Sequence, residues 1–230
     1  MKDFERDGFA IVPSVANDEE IAALIGGIEG AGANGFSYKR GRDRYAIRNL
    51  LEIVPAVKAF ANLASVRILV KSILGAEAFA VRGLLFDKTP SANWKVAWHQ
   101  DLTIAVRQRS EVAGYGPWSI KAGVQHVQPP TSVLEGMLTM RLHLDNCSDS
   151  NGPLRVLPGS HRAGKLSATD IKAWCKRVPA VNCIAKCGSA LLMRPLLLHA
   201  SSTAQEPGHR RVIHLEFAAR PLDGNLQWNV

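Results

Sequence analysis

The stretch "WHQDLTI" at residues 98–104 places His99 two residues before Asp101. In an extended chain, residues two apart project to the same side, so the imidazole and the carboxylate would share one face. Two histidines and one carboxylate on one side of a metal leave its other positions open. An oxygen-activating, non-haem Fe(II) centre needs that arrangement. The second histidine has to come from elsewhere in the chain. His199, in "PLLLHASS", closes an apolar run, a poor place for an imidazole without a partner. Eleven residues further on, Arg210 opens "RRVIHLEF". An arginine pointing into a barrel needs an anion, and a dicarboxylate would meet it with a two-pronged pair. Spacing alone does not choose the histidine–aspartate pair. His143 and Asp145, in "RLHLD", repeat it and could serve with the same His199.

Helices and strands must position these groups. Residues 8–15 read as a short apolar strand. Asn17 caps a helix with Asp18, Glu19 and Glu20 in its first turn, and Ile21, Leu24, Ile25 and Ile28 follow at helical spacing. The glycine-rich "GGIEGAGANG" is expected to end it. Residues 55–75 read as one or two helices stopped by Gly75. Strand patterns then cover residues 78–88, "KVAWHQD", 136–145, 154–158, 180–187, 189–201 and 210–219, with a long Gly/Pro-bearing loop at 107–133. "DSNGPL" and "LPGSH" supply turns. Short strands between turn signals predict a β-sandwich or barrel. The expected organisation is mainly β with flanking helices, one domain over residues 1–230. Its helical part would cover about 1–76 and its β core about 77–220.

The bulk numbers agree with a globular enzyme-sized domain: 230 residues, 47% hydrophobic and 21% charged. Aromatic residues make up only 7%, too few for the stacking platforms of single-stranded nucleic-acid binders, and the net charge of +8 is spread along the chain. The one dense basic patch is "YKRGRDR" at 38–44, followed by Arg48. It reads either as a solvated face or as a basic mouth for an anionic substrate or cosubstrate. Cys147, Cys175, Cys183 and Cys187 form no CxxC pair and read as reduced thiols of a cytoplasmic protein. Cys183 and Cys187 would face one side of a strand. The N-terminal "MKDFERDGFAIVPSV" is not expected to be a signal peptide, and no run reaches the length of a membrane span.

The ordered set of motifs resembles the phytanoyl-CoA dioxygenase family of Fe(II)/2-oxoglutarate oxygenases over nearly the whole chain. "FERDGFAIVPSV" and the acidic-capped helix resemble the family's N-terminus. "WHQD" is similar to its first two ligands, and "LHLDNCSDSNGPLRVLPGSHRAGKL" to its middle stretch. "GSALLMRPLLLHASS" followed by Arg210 resembles its closing block. The resemblance implies a double-stranded β-helix, a jelly-roll and cupin-like fold. It implies that His99, Asp101 and His199 hold Fe(II), and that His143 and Asp145 do not. His161 would be structural, and His209 and His214 would not ligate. 2-Oxoglutarate would lie with its far carboxylate on Arg210, assisted by Ser201. With dioxygen, oxidative decarboxylation would give succinate and carbon dioxide and hydroxylate a nearby C–H bond. One position departs from the family: Ala204 stands where an asparagine is common, five after the histidine.

Substrate candidates follow from strand alternation and from the basic residues. Arg82, Leu84 and Phe86 share a face of "VRGLLFDK"; Lys88 and Arg141 are further cations. Loops as long as 107–133 are usually lids or disordered, and Trp118, Lys121 and His126 would carry a lid's substrate contacts, with Arg42 and Arg48 on the opposite rim. These residues lean toward an anionic small molecule. Each also has a bland reading as a salt-bridged strand residue or ordinary loop packing. The alternatives are a cupin-like metal enzyme without 2-oxoglutarate, which would not need Arg210, and a non-catalytic binding module on the same scaffold. Halogenases on this centre replace the carboxylate with Ala or Gly, whereas Asp101 is present. No nucleic-acid or membrane partner is expected, and the chain would be a monomer or weak homo-oligomer.

Overall fold

The computed structural model describes residues 2–31, 37–40 and 43–230; Arg42 lies outside them. A first short helix, α1 (Lys2–Asp7), leads into strand β1 (Phe9–Val12), which stops at Pro13. Asn17 then starts α2 (Asp18–Gly30) with a reciprocal capping box: its side chain accepts from the Glu20 amide while Glu20 accepts from the Asn17 amide, both at 2.8 Å. The helix ends at Gly30, inside the glycine-rich stretch as expected, and Gly26 and Gly27 lie within it. A Cβ on Gly27 would sit 3.1 Å from Val54 Cγ1 and 3.2 Å from the Ala56 Cβ, so the glycine allows close packing that outweighs its poor helix propensity. Strands β2 (Ser37–Arg40) and β3 (Asp43–Ile47) pair antiparallel and carry the described residues of the basic patch. Helices α3 (Leu50–Ile53), α4 (Pro55–Ala61) and α5 (Ala64–Leu74) follow, the last halted by Gly75 at φ +95°.

The remaining strands are β4 (Phe79–Lys88), β5 (Val96–His99), β6 (Ile104–Val106), β7 (Trp118–Lys121), β8 (Val124–Val127), β9 (Met137–His143), β10 (Leu154–Val156), β11 (Val181–Cys183), β12 (Ala190–Met193), β13 (His199–Ser201) and β14 (Arg210–Ala218). Helix α6 (Thr131–Glu135) precedes β9 and α7 (Ala168–Arg177) precedes β11. A seven-stranded sheet runs β1-β12-β9-β14-β4-β3-β2, and a four-stranded sheet runs β11-β10-β13-β5. The helical and β parts of the sequence therefore share one sheet. On one face of the large sheet, Leu138, Met140 and Leu142 of β9 and Ile213, Leu215 and Phe217 of β14 pack with Val57, Phe60, Val66 and Val70 of the helices. The alternate residues turn the other way and form cross-strand rows: Lys88 beside Arg210, then Phe86, Val212 and His143, then Leu84, His214 and Arg141, then Arg82, Glu216 and Thr139.

Three expectations are corrected. Residues 189–201 are not one strand. Pro195 has no amide to donate to a ladder, and the chain turns at 194–198 with the Leu197 amide on the Arg194 carbonyl. This leaves β12 in the large sheet and β13 in the small one. Residues 180–187 are not one strand either. Strand β11 ends at Cys183, which is buried, while Cys187 lies in a turn and is exposed. The 107–133 segment is not a plain loop: β7 and β8 form a hairpin that joins β6 in a three-stranded sheet. Its two turn residues, Ala122 at φ +51° and Gly123 at φ +77°, give the paired left-handed geometry of a tight hairpin. Ala-Gly is a weak signal for that turn, because a Cβ disfavours the left-handed region.

Candidate metal centre

Strands β5 and β13 pair so that His99 lies directly across from His199. The ring centroids are 4.1 Å apart. Each ring is fixed in the same way. Nδ1–H donates to the carbonyl two residues back, His99 to Ala97 at 2.8 Å and His199 to Leu197 at 2.9 Å. The proton therefore sits on Nδ1, and both Nε2 lone pairs are free to coordinate. They face Asp101, whose Oδ1 is 3.9 Å from His99 Nε2 and whose Oδ2 is 3.6 Å from His199 Nε2. One ligand atom from each of the three residues lies within 4.8 Å of the others, the one such group among the described residues.

Asp101 leaves the strand ladder here, its amide donating to the Pro195 carbonyl at 2.9 Å. Between the two side chains, Gln100 points away and ties three main-chain groups. Its Nε2 donates to the carbonyls of Gly164 at 2.8 Å and Leu196 at 2.7 Å, and its Oε1 accepts from the Leu166 amide at 2.9 Å.

The electrostatics suit a divalent cation. Burial pushes the His199 pKa down to about 4 against the pull of Asp101, so the imidazole is neutral near pH 7. Burial would raise Asp101, but the electrostatic pull of the surrounding His199, His214, His99 and Arg141 outweighs it and leaves its pKa at about 2. Its Oδ2 is enclosed and has no hydrogen-bond partner. An ionised, buried oxygen without a donor, beside two free imidazole lone pairs, fits a metal ion.

A cleft of about 270 Å³ opens on this group between the two sheets. At one end Arg210, 3% exposed, donates through Nη1 to the Gly152 carbonyl, and its Nε is buried with no partner. Lys88, its cross-strand neighbour, is 1% exposed and donates to Ser201 Oγ at 3.3 Å and to the Ser202 carbonyl. Burial and the nearby Arg210 bring the Lys88 pKa down to about 8. No carboxylate lies within ion-pair distance of either cation among the described residues. Gly152, at φ +70°, permits this corner: a Cβ there would meet the Ser202 carbonyl at 2.7 Å and Lys88 Nζ at 3.1 Å. Such a seat fits one end of a dicarboxylate. The asparagine absent at Ala204 has a counterpart in Asn93, whose amide clamps the Ala204 main chain from both sides at 2.7 and 2.9 Å.

Of the substrate candidates, Arg48, Arg82, Leu84, Phe86, Lys121 and Arg141 line the cleft. Lys88 is not among its lining residues; burial places it with Ser201 beside Arg210. Trp118 packs beside Arg109 and a satellite core, and His126 is buried, its Nδ1–H spent on the Val124 carbonyl. The other histidine–aspartate pair does not reach the metal group. Asp145 accepts two bonds from the Arg211 guanidinium, at 2.7 and 3.0 Å, and burial pushes His143 down to about 3. His209 meets Asp87 at 2.8 Å. Sequence reading missed Trp94, Val96, Thr103, Leu154, His214 and Glu216 as lining residues. His214 and Glu216 had a signal, since they alternate with Arg210 along β14. A second cavity, of about 330 Å³, lies behind Arg82 and contains none of the three metal-group residues.

Residues 4–212 match the model of the family described as "Phytanoyl-CoA dioxygenase (PhyH)". The chain belongs to the phytanoyl-CoA dioxygenase family. An ectoine dioxygenase of Bordetella parapertussis is 24% identical over 179 residues, which is 70% of this chain and 48% of that protein. The Bordetella bronchiseptica counterpart is 23% identical over the same shares. The chain thus spans about half the length of these relatives. Among solved structures, EctD from S. alaskensis with 2-oxoglutarate and 5-hydroxyectoine superposes with a TM-score of 0.72 at 20% identity, covering 95% of this chain and 74% of that one. AviO1 from Streptomyces viridochromogenes gives 0.67 at 21%, covering 94% and 92%. The fold is the double-stranded β-helix that these structures share.

Proposed function

We propose that this family member is an Fe(II)/2-oxoglutarate-dependent dioxygenase that hydroxylates a C–H bond of a small molecule, within one catalytic domain. The observation that carries the reading is the unpartnered Asp101 Oδ2 facing two free imidazole lone pairs, in the same cleft as Arg210, whose Nε is buried without a partner. The relatives described as ectoine dioxygenases, and EctD with 2-oxoglutarate, support it. Bound iron, 2-oxoglutarate and dioxygen would supply oxidative decarboxylation to succinate and carbon dioxide, coupled to hydroxylation. The chain supplies the geometry. His99, Asp101 and His199 would hold the metal from one side. Arg210, with Ser201 beside it, would bind the far carboxylate. Leu84, Phe86, Val96 and Leu154 make apolar wall that keeps water from the reacting bond. A cytoplasmic setting is supported by four unpaired cysteines; no helix among the described residues is long and apolar enough to cross a membrane.

The test is an anaerobic titration with Fe(II) and then 2-oxoglutarate, read by visible absorption. A charge-transfer band that forms in the wild type and is lost in His99→Ala is expected. Metal binding without a band would remove 2-oxoglutarate from the mechanism and leave a metal enzyme of another kind.

A further inference from the structure

The cleft carries charge that the metal and Arg210 do not use. Five cationic side chains line it against two carboxylates, Asp101 and Glu216. A divalent metal and a dicarboxylate cosubstrate cancel one another and leave the balance of these lining groups unchanged. Arg82 is already paired, its Nη1 3.0 Å from Glu216 Oε1. Arg141 is not. It is 7% exposed, no carboxylate lies within ion-pair distance of it among the described residues, and its Nε is buried without a partner. A buried guanidinium with a spare donor is costly unless an anion meets it.

Its placement is specific. Arg141 lies in the row with Leu84 and His214, four residues along the strands from the Lys88–Arg210 row, or roughly 14 Å at ~3.4 Å per residue. It lines the same cleft as His99, Asp101 and His199, which puts it on the side of the metal group. The guanidinium lies over the Phe86 ring, 5.7 Å from its centroid. Its Nη1 donates to His214 Nδ1 at 2.9 Å. Arginine only donates, so Nδ1 must accept, which leaves the His214 proton on Nε2. That nitrogen faces Glu216 Oε1 at 3.3 Å. Glu216 therefore fixes the tautomer of His214, and His214 fixes the direction of Arg141.

We propose that Arg141 is a second anion anchor of the cleft, held in position by His214 and Glu216 to take a carboxylate beside the metal. The carboxylate comes either from the substrate or from the metal-side end of the cosubstrate. The choice between these sources rests on the proposed function; the anchor does not. Both are separated by calorimetry on Zn(II)-loaded protein, with 2-oxoglutarate as one probe and acetate, added with and without 2-oxoglutarate, as the other.

Arg141→Gln is expected to weaken one of the two probes by ~10-fold or more while Zn(II) affinity stays unchanged. Loss of 2-oxoglutarate binding assigns the anchor to the cosubstrate. Loss of acetate binding to the 2-oxoglutarate-loaded form assigns it to the substrate. Arg141→Lys should recover part of the affinity, and His214→Phe, which leaves Arg141 but removes its acceptor, should lose it. Unchanged binding of both probes in Arg141→Gln, or acetate that fails to bind the wild type while 2-oxoglutarate binds both proteins equally, overturns the anchor. If 2-oxoglutarate does not bind the wild type at all, the proposed function fails. Acetate binding to the Zn(II) form alone then decides the anchor: loss in Arg141→Gln supports it, and no loss or no binding overturns it.

Discussion

Replacing Gln100 by Leu should weaken both the fold and the metal group. The Gln100 side chain, 7% exposed, satisfies the carbonyls of Gly164 and Leu196 and the amide of Leu166 at 2.7–2.9 Å. Leucine fills similar volume but leaves these three main-chain groups without partners. At about 1 kcal/mol net per bond, and more for each group left buried and unsatisfied, the loss is roughly 3–5 kcal/mol. For a chain of this size that corresponds to a fall in Tm of about 6–20 °C. Leu196 belongs to the turn that delivers His199, and Gln100 itself joins His99 to Asp101, so metal affinity should also drop, by ~10–100-fold. Urea denaturation of the metal-free protein measures the first effect and anaerobic metal titration the second. A variant within ~1 kcal/mol of wild type that binds metal equally well would refute the assignment of Gln100 as the tie between the ligand strand and the 194–198 turn.

Stability of the metal-free protein should fall on acidification from pH 6.5 toward 4. Burial pushes His199 and His126 to about 4 and His143 to about 3, so between those values and the ordinary ~6.5 the unfolded chain binds protons that the folded one refuses. Each histidine contributes a slope approaching ~1.4 kcal/mol per pH unit between its folded pKa and ~6.5, above which the full stability is reached; urea midpoints that stay flat over this range would contradict it. Arg210→Met should weaken 2-oxoglutarate by ~10–100-fold in calorimetry with metal affinity unchanged, because it removes charge-assisted donors remote from the ligand atoms. Ala122→Asn should raise stability by ~0.5–1 kcal/mol, seen as a higher Tm, because asparagine tolerates the left-handed backbone that Ala122 adopts at φ +51°.

Much of the fold was legible because its signals are local. The Asn17 capping box, the stop at Gly75 and the long strands β4 and β14 follow from residues within a few positions of one another. The readings that failed depended on distant packing. Residues 189–201 looked like one apolar strand until Pro195 let the chain cross from the large sheet to the small one. The Ala122–Gly123 turn is hidden because the weaker of its two residues holds the left-handed conformation.

The site divides along the same line. By itself the sequence determined that His99 and Asp101 share a side, that His143 and Asp145 have the same spacing, and that Arg82, Leu84 and Phe86 share a face, since side-chain direction in extended chain is a property of two-residue period alone. It could not say which pair meets His199, because a neighbour across a sheet is set by the register of strands a hundred residues apart. The tertiary structure decided it: β5 pairs with β13 so that His99 faces His199, while Arg211 on β14 occupies Asp145.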